Sequence, residues 1–94
     1  MIIAVDFDGT LQIDGEPNLA LIGNLMRAKR SGAVLILWTC RAGNRLADAV
    51  AFCRQHGLQI DLVNENAPQI VRQLGYNPRK VLADVYIDDK AGLI

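Results

Sequence analysis

Four short stretches of this chain are wholly or largely apolar, and each stops at polar side chains. Ile2 to Val5 runs into Asp6, "AVLILW" at 33–38 into Thr39, and "VLADVYIDD" at 81–89 ends on Asp88 and Asp89, with "LQIDLV" at 58–63 a weaker fourth. Continuous apolar runs of this length suit strands buried on both faces. Between them the apolar residues change to helical spacing. Leu21, Ile22, Leu25 and Met26 follow Pro17, which suits a first helical position, and Gly32 is the expected stop. Asn44 is placed to cap a second helix with Leu46, Ala49, Val50 and Cys53 on one face and Gly57 closing it. Asn66 and Pro68 begin a short third helix carrying Ile70, Val71 and Leu74, ended by Gly75. Residues 9–16, "GTLQIDGE", read as a turn or small hairpin.

Strand alternating with helix implies a parallel sheet between helical layers. The expected fold is α/β, a small Rossmann-like three-layer sandwich with a mainly parallel sheet of about four strands, in a single domain over 1–94. Polar residues gather where these strands end: Asp6 and Asp8, Thr39 and Arg41, Asp88 and Asp89. In such sheets the carboxyl ends of the strands form the ligand crevice. Two carboxylates one residue apart repel each other when ionised, so Asp6 and Asp8 call for a cation or a reaction beside them.

The chain has 94 residues, 51% of them apolar, enough for one modest core. Its formal net charge is zero, which indicates neither nucleic acid nor a membrane surface as partner. Arg27, Lys29 and Arg30 fit a helix C-terminus meeting its own dipole. No basic leader precedes the four apolar residues before Asp6, so no signal peptide is read, and no run approaches the roughly 18 apolar residues of a span. Cys40 and Cys53 have no metal-type spacing and are expected as reduced thiols, small core or near-core residues of a cytoplasmic protein. Trp38, ending an apolar strand, is expected to pack, and His56 beside Gly57 reads as a helix end.

The segments "IAVDFDGT", "LILWT" and "VYIDD", in that order, resemble the haloacid dehalogenase-like hydrolase superfamily. The first matches its DxDGT motif, the second its strand ending in Thr, the third its closing acidic motif. The resemblance implies a Mg²⁺-dependent phosphatase acting through an aspartyl-phosphate. It makes Asp6 the nucleophile and Asp8 the group that protonates the leaving oxygen and then takes a proton from water. It gives the metal to the Asp6 side chain, the Asp8 backbone carbonyl and Asp88, with Asp89 binding directly or orienting a metal-bound water. Thr39 and backbone N–H groups near Cys40 would hold the phosphoryl oxygens. Lys80 is the implied lysine, eight positions before Asp88, and Lys90 is its rival. Arg41 is either a substrate-phosphate contact or a surface charge opening a loop.

Larger members of that superfamily carry a cap domain, and neither connection here is long enough to hold one. An uncapped site implies a phosphorylated substrate that is itself large, or cover from a neighbouring subunit. The apolar pair Leu93 and Ile94 adds to the expectation of a homodimer. Two other classes compete: a phosphoacceptor domain of receiver type, and a catalytically inactive binding or scaffold protein. Asp8 separates the first from a phosphatase, because a receiver has no use for an acid–base group two residues after its acceptor.

Overall fold

The apolar runs form the strands of one parallel sheet. The computed structural model describes residues 1–89. The rival lysine Lys90 and the Leu93–Ile94 pair, with the homodimer argued from it, lie outside the described residues. In chain order the elements are β1 (Ile2–Val5), β2 (Gln12–Ile13), β3 (Glu16–Pro17), α1 (Leu19–Arg30), β4 (Val34–Leu37), α2 (Gly43–Gln55), β5 (Leu62–Val63), α3 (Pro68–Leu74) and β6 (Val85–Ile87). The main sheet has the order β5-β4-β1-β6, with every pairing parallel. The chain steps outward from β1 through β4 to β5, then crosses back to place β6 on the other side of β1. That reversal makes the β1–β6 boundary the switch point of the sheet.

Side chains alternate across each strand, so the core divides in two. Ile3, Val5, Leu35 and Leu37 pack with Ile22 and Leu25 of α1 and Ala49 and Cys53 of α2. On the opposite face Ile2, Ala4 and Ile36 pack with Ala67 and Val81, flanked by Ile70 of α3 and Tyr86 of β6. This is the expected three-layer Rossmann-like α/β arrangement. The layers are unequal: helices of 12 and 13 residues cover the first face, and a helix of 7 residues with none buried covers the second. The second face is therefore thinly roofed.

Several boundaries differ from the expectation, each for a local reason. Pro17 is not the first residue of α1. Asp14 and Gly15, both at positive φ, make a two-residue hairpin turn that places Pro17 opposite Gln12 in the small antiparallel β2–β3 pair. Asn18 caps α1 instead, its side chain accepting the Leu21 N–H at 3.3 Å. Asn44 does not cap α2, because Leu46 N–H donates to the Ala42 carbonyl and the helix starts at Gly43, two residues earlier than a cap at Asn44 would give. Pro68 opens α3 and Gly75 closes it at φ +79, as expected. Asn66 does not cap that helix. Its buried side-chain amide donates to the carbonyls of Asn77 (side chain), Pro78 and Lys80 and accepts from Leu82 N–H, clamping the loop that leads into β6. The third and fourth strands are shorter than their apolar runs.

Two core assignments are corrected. Cys53 is buried as expected, and burial pushes its thiol up to about 11. Cys40 is exposed, because it follows the last strand residue of β4 into the loop. Trp38 keeps 39% of its surface exposed. It continues the Val34–Ile36 face and meets the Tyr86 ring there, 5.5 Å between centroids.

Candidate functional site

β1 ends at Val5, and the sheet ladder then carries two more bonds outward. Asp6 N–H donates to the Ile87 carbonyl at 2.9 Å, and Trp38 N–H to the Val5 carbonyl at 2.8 Å. These bonds hold the ends of β1, β4 and β6 in step. Asp6, Trp38, Thr39, Cys40, Asp88 and Asp89 consequently line one cavity of about 270 Å³ at the carboxyl edge of the sheet. Five of the expected site residues, Cys40 among them, and both sides of the switch point are thus brought together, with Trp38 beside them.

The Asp6 loop is wound on itself. The Phe7 carbonyl accepts from the N–H groups of Thr10, Leu11 and Gln12, and Phe7 N–H donates to Asp6 Oδ1 at 2.8 Å. Gly9 sits at φ +77, and a Cβ there would come within 3.2 Å of Asp89 Oδ2. Glycine is needed at this position both for the turn and for the approach of Asp89. Thr10 is fully buried, and its hydroxyl has no partner among the described residues.

Asp6 is half-buried. Burial raises its carboxyl above the ordinary value, the Phe7 N–H lowers it, and the charges of Asp89, Asp8 and Asp88 raise it again. Asp8 is the opposite case. Arg41 grips it with two nitrogens, Nη2 to Oδ1 at 2.8 Å and Nε to Oδ2 at 3.0 Å, and this pairing holds the Asp8 carboxyl below its ordinary value. Arg41 is fixed on two further sides, its guanidinium lying 4.7 Å from the Phe7 ring centroid and donating to the Arg45 carbonyl at 3.1 Å. Asp8 and Arg41 are engaged with each other beside the cavity and do not line it.

Thr39 is positioned by a residue that the sequence reading passed over. Asn64, at φ +52 just beyond β5, accepts from Thr39 N–H at 2.9 Å and donates to the Thr39 carbonyl at 3.0 Å. Thr39 Oγ1 in turn accepts from Arg41 N–H at 3.1 Å. The signal was available: an asparagine right after a strand is a residue that tolerates the left-handed conformation. Lys80 is exposed, contributes its backbone carbonyl to the Asn66 clamp, and is not among the cavity-lining residues.

At the other edge of the sheet the acids are spent on structure. Asp84 accepts from Ile2 N–H at 2.7 Å, and Asp61 accepts from Leu35 N–H while pairing with Lys29.

No protein-family model and no curated protein matches this chain. A solved structure does: a conserved protein from Bacteroides thetaiotaomicron, 36% identical, with a TM-score of 0.81 over 96% of this chain and 76% of that one. The chain belongs to that protein's family. The Bacteroides relative therefore shares the fold of this chain.

The chemistry of the edge can be stated from the side chains alone. Asp6, Asp88 and Asp89 place concentrated negative charge in a partly desolvated cavity, and a hard divalent cation relieves such a cluster. Among the described residues no group of three or more His, Cys, Asp or Glu closes into a metal cage. Mg²⁺ does not require one, since it is usually held by one or two carboxylates, water and substrate oxygens.

Proposed function

We propose that this protein is a Mg²⁺-dependent phosphate monoester hydrolase of the haloacid dehalogenase-like type. The observation that carries the reading is a single cavity at the switch point lined by Asp6, Thr39, Asp88 and Asp89. Asp6 Oδ attacks phosphorus, forming an aspartyl-phosphate as the bond to the ester oxygen breaks. Asp8 supplies the proton that the departing oxygen takes up. Water then attacks the aspartyl-phosphate, giving its proton to Asp8 and releasing phosphate with Asp6 restored. Thr39 binds the phosphoryl oxygens, held in place by Asn64. The Asp6 and Asp88 carboxylates and the Asp8 backbone carbonyl would hold Mg²⁺, with Asp89 binding directly or orienting a metal-bound water, and the ion would supply charge neutralisation for an anionic nucleophile meeting an anionic substrate.

Asp8 must be protonated to act as an acid, and its pairing with Arg41 opposes that. The substrate's phosphoryl group is the competing anion for the guanidinium, so substrate entry frees Asp8 in this reading. Lys80 is the lysine of the proposal by resemblance alone. Both cysteines are free thiols, which suits a cytoplasmic setting. Among the described residues no helix is long and apolar enough to cross a membrane.

The Asp8–Arg41 pair also favours a second reading. An acid–base group kept ionised would leave an aspartyl-phosphate long-lived, as a phosphoacceptor domain needs. The deciding experiment is phosphorylation with acetyl phosphate or an aryl phosphate in Mg²⁺, following both phosphate release and phosphoenzyme. Multiple turnovers that Asp6→Asn reduces by several orders of magnitude support the hydrolase. A stable, stoichiometric phosphoenzyme without turnover selects the acceptor domain, and turnover in Asp6→Asn rejects both.

A further inference from the structure

A large aromatic residue sits where the proposed reaction takes place, and no step of that reaction uses it. Trp38 lines the same cavity as Asp6 and Thr39, and 39% of its surface is exposed. Its position is fixed. The indole meets the Tyr86 ring at 5.5 Å between centroids and 62° between planes. The Tyr86 hydroxyl is itself held, donating to the Val81 carbonyl at 2.7 Å and accepting from Ala83 N–H at 3.1 Å. An exposed indole costs solvation unless something covers it, and this one is braced rather than folded inward. The cavity, about 270 Å³, falls just below the roughly 300–1,000 Å³ of sites for drug-sized ligands. That leaves room for a phosphoryl group and a small leaving group.

We infer that Trp38 is a stacking platform for the leaving group, and that the site selects phosphate monoesters whose ester oxygen is borne directly on a flat aromatic ring. Trp38 and Thr39 line the same cavity of about 270 Å³, so a ring on the indole shares that space with a phosphoryl group held at Thr39. A phenol-type leaving group is small and flat enough to share it. A nucleoside, with a sugar between base and phosphate, demands more room. The inference rests on the phosphatase reading for the placement of the phosphate, and it extends that reading to the class of substrate.

The test uses probes that cannot be hydrolysed. Trp38 is the chain's single tryptophan, so its fluorescence reports on this cavity alone. In millimolar Mg²⁺, phenylphosphonate is expected to change the emission and to bind more tightly than methylphosphonate. Calorimetry is expected to show Trp38→Ala weakening phenylphosphonate by about 2- to 10-fold while methylphosphonate changes by less than about twofold. Trp38→Phe, which keeps a ring and the fold, is expected to restore most of the difference. Equal binding of the two phosphonates, or an equal loss of both in Trp38→Ala, would overturn the platform. So would tighter binding of a nucleoside 5′-monophosphate than of phenylphosphonate, or no binding of either phosphonate. Ring-selective binding without hydrolysis of any ester would leave the platform standing and remove the phosphatase. Hydrolysis with no preference for a ring would do the reverse.

Discussion

Arg41 shows how one side chain ties stability and reactivity together. Its bond to Asp8 is on the surface, with 54% of the Asp8 side chain exposed, so the pair adds little to the stability of the fold. Its effect on protonation is the larger matter. Arg41 lowers the Asp8 pKa, so removing it raises that pKa and keeps the acid form to higher pH. Arg41→Gln is therefore expected to move the alkaline limb of kcat/KM upward in pH and to raise KM, with melting nearly unchanged. An unshifted limb would separate Arg41 from the proton transfer. Gly9 gives a second residue-scale expectation. Gly9→Ala forces a Cβ into a left-handed conformation, costing about 1–2 kcal/mol, and pushes it against Asp89. A lower Tm together with weaker Mg²⁺ dependence is the expected outcome. A lower Tm alone would show that Asp89 can yield without consequence.

At the scale of elements, the site depends on strand ends being held in step. Asp6 is bonded to β6 and Trp38 to β1, and Asn64 grips Thr39 from the end of β5. Asn64→Gly preserves the φ of +52 and removes only the amide. The lost hydrogen bonds are exposed, so stability is expected to fall by less than about 1 kcal/mol. Turnover is expected to fall by about tenfold or more, because the loop carrying Thr39 is no longer fixed. Comparing the melting curve with kcat checks this, and equal losses in the two would make Asn64 an ordinary structural residue. The core strands behave differently. Leu35 is fully buried, and Leu35→Ala is expected to cost about 2–5 kcal/mol whatever happens at the site.

Over the whole molecule the pH dependence of the fold is set at the carboxyl edge, where the Asp6 and Asp8 carboxyls are shifted in opposite directions. Asp6 has a raised pKa, so the stability it contributes is complete below the unfolded value and is lost as pH rises through the folded one. Asp8 has a lowered pKa, so its contribution is present above the unfolded value and is lost as pH falls through the folded one. At neutral pH without metal, Asp6→Asn is thus expected to melt higher than the native chain, since Asn keeps an acceptor for Phe7 N–H and drops the charge. Millimolar Mg²⁺ is expected to raise Tm in the native chain by mass action, and by less in the variant. Thermal melts of both proteins, with Mg²⁺ and with chelator, check the set. A lower Tm for Asp6→Asn would mean that the Asp6 charge is not a burden on the fold.

The sequence by itself determined the periodic features. Four apolar runs alternating with helical spacing specify a parallel α/β sheet, because burial on both faces and on one face leave different patterns along a chain. The turn at Asp14–Gly15 and the stop at Gly75 were legible too, since only a few residues accept positive φ. So was the gathering of Asp6, Thr39, Asp88 and Asp89, once strand ends were taken to share an edge. Tertiary structure alone decided what each of these residues touches. Asp8 and Arg41 are 33 positions apart, and no local rule announces that they pair. Asn64 looks like a loop residue and Asn66 like a helix start, yet one fixes Thr39 and the other clamps the approach to β6. Trp38 was expected to pack because an indole after an apolar run usually does. It stays 39% exposed, edge-on to Tyr86 at the cavity rim, because where a side chain just beyond a strand ends up depends on the layers around the sheet and not on the run that precedes it.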